Sequence, residues 1–269
     1  MKGMALLAAL ALMPTMAAAQ STLAEAPKPI NPSKIILVGD STTAVVGGWG
    51  PSFCAYHVTS FAACVNLARG GRSSSSYRAE GSWDVALGEM RTPGYRNVWV
   101  LIQFGHNDQP GKPGRSTDLE TEFPANLSRY VDEARAAGAE PILVTPLTRR
   151  IFKDGKVDND LAAWAEAARR VAREKGVPLL DLNAESVAAV QAMGEAAADR
   201  FAQLPPGSAP TGQAPAAPAS TEINELPMAV PRLSFDYTHL GREGADYFAE
   251  MVARELAAAV PEMRPLLIP

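Results

Sequence analysis

At 269 residues, 47% of them hydrophobic, and with a formal net charge of −4, the chain can bury the core of one sizeable domain or two small ones. Its basic residues are scattered, not gathered into a patch, so a nucleic-acid partner is excluded. Three histidines and 2 cysteines without an H-E-x-x-H or paired Cys/His spacing leave no basis for a metal site, and no cofactor is expected.

Residues 1–19 carry Lys2, then an apolar Ala/Leu/Met run, then Ala17-Ala18-Ala19. This pattern predicts a secretory signal peptide cut before Gln20, and hence export to a periplasm or the medium. The run is too short and too rich in alanine to span a membrane. Residues 20–33 read as a loose lead-in. Ile35 to Val38 is a β-branched apolar run that predicts a strand buried on both faces. It stops at Gly39 and is followed by Asp40, Ser41, Thr42 and Thr43. A helix starting just after Ser41 would aim backbone N–H groups at negative charge, so Ser41 stands where a nucleophile would.

The next loop, Val45 to Gly50, is glycine-rich but fits neither a dinucleotide nor a P-loop pattern. Its Trp49 suits either stacking on a sugar face or anchoring the loop in the core. Cys54 and Cys64 are close enough to bridge in an oxidising compartment, and two buried thiols are the alternative. Phe61–Leu67 predicts a second strand, ending in Gly70, Gly71, Arg72 and a run of serines before Tyr77. Asn97–Phe104 is the clearest central strand and ends in Gly105-His106-Asn107-Asp108. Each of the three strands therefore ends in a polar cluster.

The pattern then alternates. Residues 122–137 predict a helix stopped by Gly138, 141–146 a strand, 159–175 an amphipathic helix stopped by Gly176, and 177–182 a fifth strand. Strand and helix in turn with short links predict an α/β fold, a three-layer sandwich around a parallel sheet. Residues 184–204 read as helix, and the uncharged Pro/Ala/Gly segment that follows, within 205–231, as an insertion in this single domain. A last helix is expected over 242–260.

Asp236 and His239, three residues apart, allow the carboxylate to accept from Nδ1–H and leave Nε2 as a base. Taken together, Gly39-Asp40-Ser41, Gly71, Gly105-His106-Asn107-Asp108 and Asp236-x-x-His239 resemble the four blocks of the SGNH (GDSL-like) hydrolases. The wording is most similar to the rhamnogalacturonan acetylesterase branch, carbohydrate esterase family 12, in which Gly71-Arg72-Ser73 and Tyr77 have counterparts. The α/β-hydrolase G-x-S-x-G elbow is absent. The resemblance implies a flavodoxin-like five-stranded sheet, Ser41 as nucleophile, His239 as base and Asp236 as its orienting carboxylate. It also implies an oxyanion hole made of the Ser41 and Gly71 N–H groups and the Asn107 amide, with Asp40 and His106 shaping turns. The function implied is an exported serine esterase, a monomer, acting on an acetylated polysaccharide or oligosaccharide, with pectin ahead of xylan. Trp49, Tyr77 and Trp83 are expected on the rim of a sugar-binding cleft. The competing readings are a lipase- or thioesterase-like member of the same superfamily and a carbohydrate-binding protein that has lost catalysis.

Overall fold

The computed structural model describes residues 30–208 and 235–269. The expected signal peptide and most of the Pro/Ala-rich insertion lie outside these residues. The fold is a three-layer α/β/α sandwich. Its sheet comprises β1 (Ser33–Gly39), β2 (Ala62–Asn66), β3 (Val98–Gln103), β4 (Glu140–Val144) and a short strand, Leu179–Leu180, which is β7 after a small hairpin of β5 (Phe152–Lys153) and β6 (Lys156–Val157). The spatial order is β2-β1-β3-β4-β7, every pair parallel.

Residues of β1 alternate between two cores, as a strand's period of two dictates. Ile35 and Leu37 face one side, with Phe53 of α1 (Gly50–Tyr56), Val190 of α6 (Leu182–Met193) and Phe248, Val252 and Leu256 of α8 (Arg242–Ala259). Ile36 and Val38 face the other, with Tyr77 of α2 (Ser76–Ala79), Trp83 and Met90 of α3 (Ser82–Met90), Phe123 and Leu127 of α4 (Glu122–Ala136) and Trp164 and Val171 of α5 (Ala162–Lys175). With both faces covered, the strands need no polar alternation, which is why they read as continuous apolar runs.

Two expectations change, and one element is new. The helix expected over 184–204 is two pieces, α6 and α7 (Glu195–Asp199), separated by Gly194 at φ +78°. The strand expected over 177–182 shrinks to two residues, because Asp181 turns aside to Arg169 and α6 begins at once. The β5–β6 hairpin lies in a stretch without strand periodicity, closed by Asp154 and Gly155, both at positive φ. Gly138 and Gly176 end α4 and α5 as expected, Gly176 in the left-handed conformation.

Cys54 and Cys64 form a disulfide that ties α1 to β2, closing a short loop with a sequence separation of 10. In the chain-entropy account this contributes about 3 kcal/mol.

Glu255 of the core opposes folding at neutral pH. This α8 residue is 8% exposed, and its carboxyl is pushed up to about 8 by burial, with Glu185 and Asp181 adding to it. A carboxyl raised above its ordinary value costs nothing below about pH 4.5, and its cost grows as pH rises from there to about 8, above which it is level. Glu255→Gln should therefore leave stability unchanged near pH 4 and raise it at pH 8 by on the order of 1–3 kcal/mol. Urea midpoints at the two pH values measure this, and an equal shift at both would contradict it.

Candidate active site

β1 and β3 lie where the strand order reverses, so their loops leave the sheet edge in different directions and open a crevice between them. Gly39 pairs with Gln103 across this boundary. A Cβ on Gly39 would lie 2.7 Å from the Gln103 carbonyl oxygen, so only glycine allows the approach. No helix starts after Ser41, contrary to the expectation. The chain instead makes tight turns in which the Asp40 carbonyl accepts from Thr43 and Ala44, and α1 begins only at Gly50. Asp40 shapes the turn with its side chain as well, Oδ1 accepting from the N–H and hydroxyl of Thr42 at 2.9 and 2.8 Å. Burial acts to raise the Asp40 carboxyl. His106, whose Nδ1 lies 3.4 Å from Oδ2, and the Thr42 bonds overcome that and hold it below its ordinary value. The turn leaves Ser41 8% exposed.

Gln103 holds this loop from below. Its Oε1 accepts from the Thr43 hydroxyl and, at 3.0 Å, from Trp49 Nε1, while its Nε2 donates to the Thr145 carbonyl beyond β4 at 3.0 Å. A lone amide in an otherwise apolar strand was the available signal for this role.

The second and third loops are fastened to one another by Asp108. This buried carboxylate accepts from the Ser74 N–H, the Ser74 hydroxyl and the Thr117 hydroxyl. Burial raises it to about 6, against the opposing hydrogen bonds. Gly71 sits at φ +79°, and a Cβ on Gly70 would be 3.7 Å from that of Ser41. Asn107 Nδ2 donates to the Arg72 carbonyl at 3.1 Å, which leaves the second amide hydrogen for another acceptor. Among the described residues, neither the Ser41 nor the Gly71 N–H donates to a backbone carbonyl.

The last block meets the first. His239 Nε2 lies 2.9 Å from Ser41 Oγ, and Nδ1 lies 2.9 Å from Asp236 Oδ2. Asp236 Oδ1 also accepts the N–H groups of Thr238 and His239 at 2.7 and 2.6 Å. Burial pulls the Asp236 carboxyl up, but the hydrogen bonds and charge of His239 outweigh it and set it at about 2. The turn is fixed from outside by Leu240 N–H donating to Gly47 O and by Gly241 N–H donating to Phe201 O. Arg149 and Arg150, which the sequence reading passed over, reach it from the segment after β4. All five residues singled out for catalysis thus gather at one sheet edge.

The aromatic rim expected from Trp49, Tyr77 and Trp83 is not there. All three are buried, at 0, 0 and 1% exposure, and their polar atoms are used internally: Trp49 on Gln103, Tyr77 on the Leu67 carbonyl, Trp83 on Glu133. Two cations lie on the neighbouring loops instead. Lys112 donates to the His106 carbonyl, and Arg115 to the Gly71 carbonyl at 3.3 Å. Burial first, then the neighbouring Arg149 and Arg115, lower the Lys112 ammonium from its ordinary value. A separate groove of about 800 Å³, lined by Tyr56, Met193, Phe201 and Tyr247 among others, contains none of the five residues. Among the described residues no cluster of three or more His, Cys, Asp or Glu could hold a metal ion, and no helix is long and apolar enough to cross a membrane.

Residues 37–247 match the GDSL-like Lipase/Acylhydrolase family. Two curated relatives from Bacillus subtilis (strain 168) are similar along most of their length. "Rhamnogalacturonan acetylesterase RhgT" is 33% identical over 232 residues, 82% of this chain and 88% of the relative. "Probable rhamnogalacturonan acetylesterase YesY" is 31% identical over 227 residues, 82% of this chain and 90% of the relative. Among solved structures, the YxiM protein of Bacillus subtilis superposes with a TM-score of 0.63 at 22% identity, covering 86% of this chain and 58% of that longer one. Axe2, an acetylxylan esterase from Geobacillus stearothermophilus, gives 0.53 at 17% identity, covering 86% and 96%.

Gln103→Leu is close in size and removes both the acceptor shared by Thr43 and Trp49 and the donor to the Thr145 carbonyl, leaving two buried donors without this partner. The variant should lose about 2–4 kcal/mol of unfolding free energy in urea, since each unpaired buried group costs about 1–3 kcal/mol. A loss below about 1 kcal/mol would show that the loop holds without this amide.

Proposed function

Since the chain belongs to the GDSL-like lipase/acylhydrolase family and is a carboxylic ester hydrolase, we propose that it removes O-acetyl groups from a plant cell-wall polysaccharide through an acetyl-enzyme on Ser41. The observation that carries this reading is the unbroken run of contacts from Asp236 through His239 to Ser41 Oγ, beside two N–H groups and one amide hydrogen aimed at no backbone partner. Ser41 Oγ attacks the acetyl carbonyl as its proton passes to His239 Nε2. The imidazolium faces a carboxylate that is ionised at neutral pH. Charge on the former carbonyl oxygen is received by the Ser41 and Gly71 N–H groups and by Asn107 Nδ2. Collapse releases the sugar hydroxyl, which takes the proton back from His239. Water, activated by the same base, then frees acetate.

Pectic substrates stand ahead of xylan in this reading for two reasons. The curated relatives carry rhamnogalacturonan in their names, and Lys112 and Arg115 place positive charge beside the oxyanion loop, which suits the uronate carboxylates of pectin over the neutral backbone of xylan. Export is proposed from the Met1–Ala19 pattern, and the Cys54–Cys64 disulfide supports it because such bonds persist in oxidising compartments.

Acetate release from acetylated rhamnogalacturonan, acetylated xylan and an aryl acetate tests the assignment. Turnover is expected on all three, fastest on the pectic polymer, and Ser41→Ala should lower kcat about 10⁴-fold or more with the fold intact. A Ser41→Ala protein that still turns over the aryl acetate would remove Ser41 as nucleophile.

Asn107 meets developing charge only in the tetrahedral intermediate, so Asn107→Ala should reduce kcat roughly 10²–10³-fold with KM nearly unchanged. Steady-state kinetics on the aryl acetate separate the two parameters. A raised KM at constant kcat would instead make Asn107 a substrate-binding residue.

A further inference from the structure

The turn that carries Asp236 and His239 belongs to no strand or helix, yet His239 must meet Ser41 to within a fraction of an ångström. Asp236 organises the inside of the turn through two of its N–H groups. Beyond the Leu240 and Gly241 N–H groups, the outside is held by one residue that reaches the turn's own carbonyls. Arg150 Nη2 donates to the Asp236 carbonyl at 2.8 Å and to the His239 carbonyl at 3.0 Å. Nη1 donates to the Thr238 carbonyl at 3.4 Å, and the Arg150 N–H donates to the Tyr237 carbonyl at 2.9 Å. All four carbonyls of residues 236–239 therefore end on Arg150, and among the described residues no other backbone N–H reaches them. The guanidinium is fully buried, and although burial draws it down to about 10, with Asp236 and Asp199 acting the other way, it is a cation at neutral pH.

We propose that Arg150 is the positioning residue of the acid–base pair, a rigid fork that sets the depth and direction of the Asp236–His239 turn against Ser41. The reading rests on the triad assignment above. An arginine is suited to this task because its planar guanidinium presents several donors in fixed directions, whereas a lysine offers one compact ammonium on a flexible stem. Arg149 extends the same device: it donates to the Thr238 hydroxyl with Nη1 and to Gln109 Oε1 with Nη2 at 2.8 Å, and Nε is paired with Asp160. Gln109 stands two residues beyond Asn107, so the Arg149–Arg150 pair fastens the acid–base turn to the loop that holds the third oxyanion donor.

The test compares Arg150→Lys, Arg150→Ala and Ser41→Ala with the parent on 4-nitrophenyl acetate, with thermal unfolding recorded for each. Misplacement by about 1 Å costs roughly 10²-fold in rate. Arg150→Ala should accordingly lose about 10²-fold in kcat with KM within about threefold, and Arg150→Lys should recover part of it. Ethylguanidinium at tens of millimolar should raise the Arg150→Ala rate about fivefold or more and leave the parent and Ser41→Ala unchanged. Should Arg150→Ala fail to fold, the lysine variant decides alone, by a kcat loss at constant KM. Rates within twofold of the parent in the folded variants, or a loss that neither lysine nor ethylguanidinium relieves, would overturn the positioning role while Ser41→Ala remains inactive. Activity retained by Ser41→Ala would instead remove the triad itself.

Discussion

The buried amide of Gln103 is the contact through which three neighbouring strands agree on where their loops begin. It stands at the end of β3, opposite Gly39 of β1, and its two polar ends engage Thr43 and Trp49 on one side and the Thr145 carbonyl on the other. The loop that presents Ser41 and the segment that delivers Arg149 and Arg150 thus share one fixed point. An interior this densely packed transmits displacement instead of absorbing it, so the distance between Ser41 and His239 is set in the sheet as well as at the surface. The absence of a side chain on Gly39 is part of the same contact, since the two backbones close only where no Cβ intervenes.

Around that point the molecule trades stability for arrangement. Apolar packing on both sheet faces supplies the favourable energy, whereas the carboxyl edge holds Asp40, His106, Asp108 and Arg150 nearly out of water. Asp108 shows the cost. Its carboxyl is raised to about 6 mainly by burial, so the ionised form weighs against folding increasingly as pH rises from about 4 to 6. Its return is geometric: one side chain holds Ser74 of the second loop and Thr117 at the far end of the loop that carries Asn107. Such concentrations of constrained polar groups are expected where chemistry takes place.

Much of this could be read from the chain. Strands buried on both faces must be apolar and β-branched, so β1, β3 and β4 announced themselves, and glycines 138 and 176 marked helix ends. Ser41, Gly71 and Asn107 stood out for a related reason, since small and polar residues interrupt those runs at the sheet edge. Asp236 and His239 were marked instead by their three-residue spacing, and all five roles by the family resemblance. Contacts without a sequence period were not legible. Arg150 lies 86 residues from the carbonyl of Asp236, and nothing in Thr-Arg-Arg indicates that its second arginine turns inward. Trp49, Tyr77 and Trp83 resembled a sugar platform because an aromatic beside a loop suits either the rim or the core. What decided was a partner for each polar atom, in Gln103, Leu67 and Glu133. The break at Gly194 was hidden by good helix formers on both sides of it.

Ser41 and His239 are separated by 198 residues, a longer stretch than the sheet itself, which begins at Ser33 and ends at Leu180. The serine loop, β1 and β2 lie at one end of this span and the histidine at the other, just ahead of α8, which closes one face of the core. Under the proposed mechanism, a refolding chain in which the first strands form before α8 docks would hold a serine without a base. The return of ester hydrolysis during refolding would then time the closing step of folding itself.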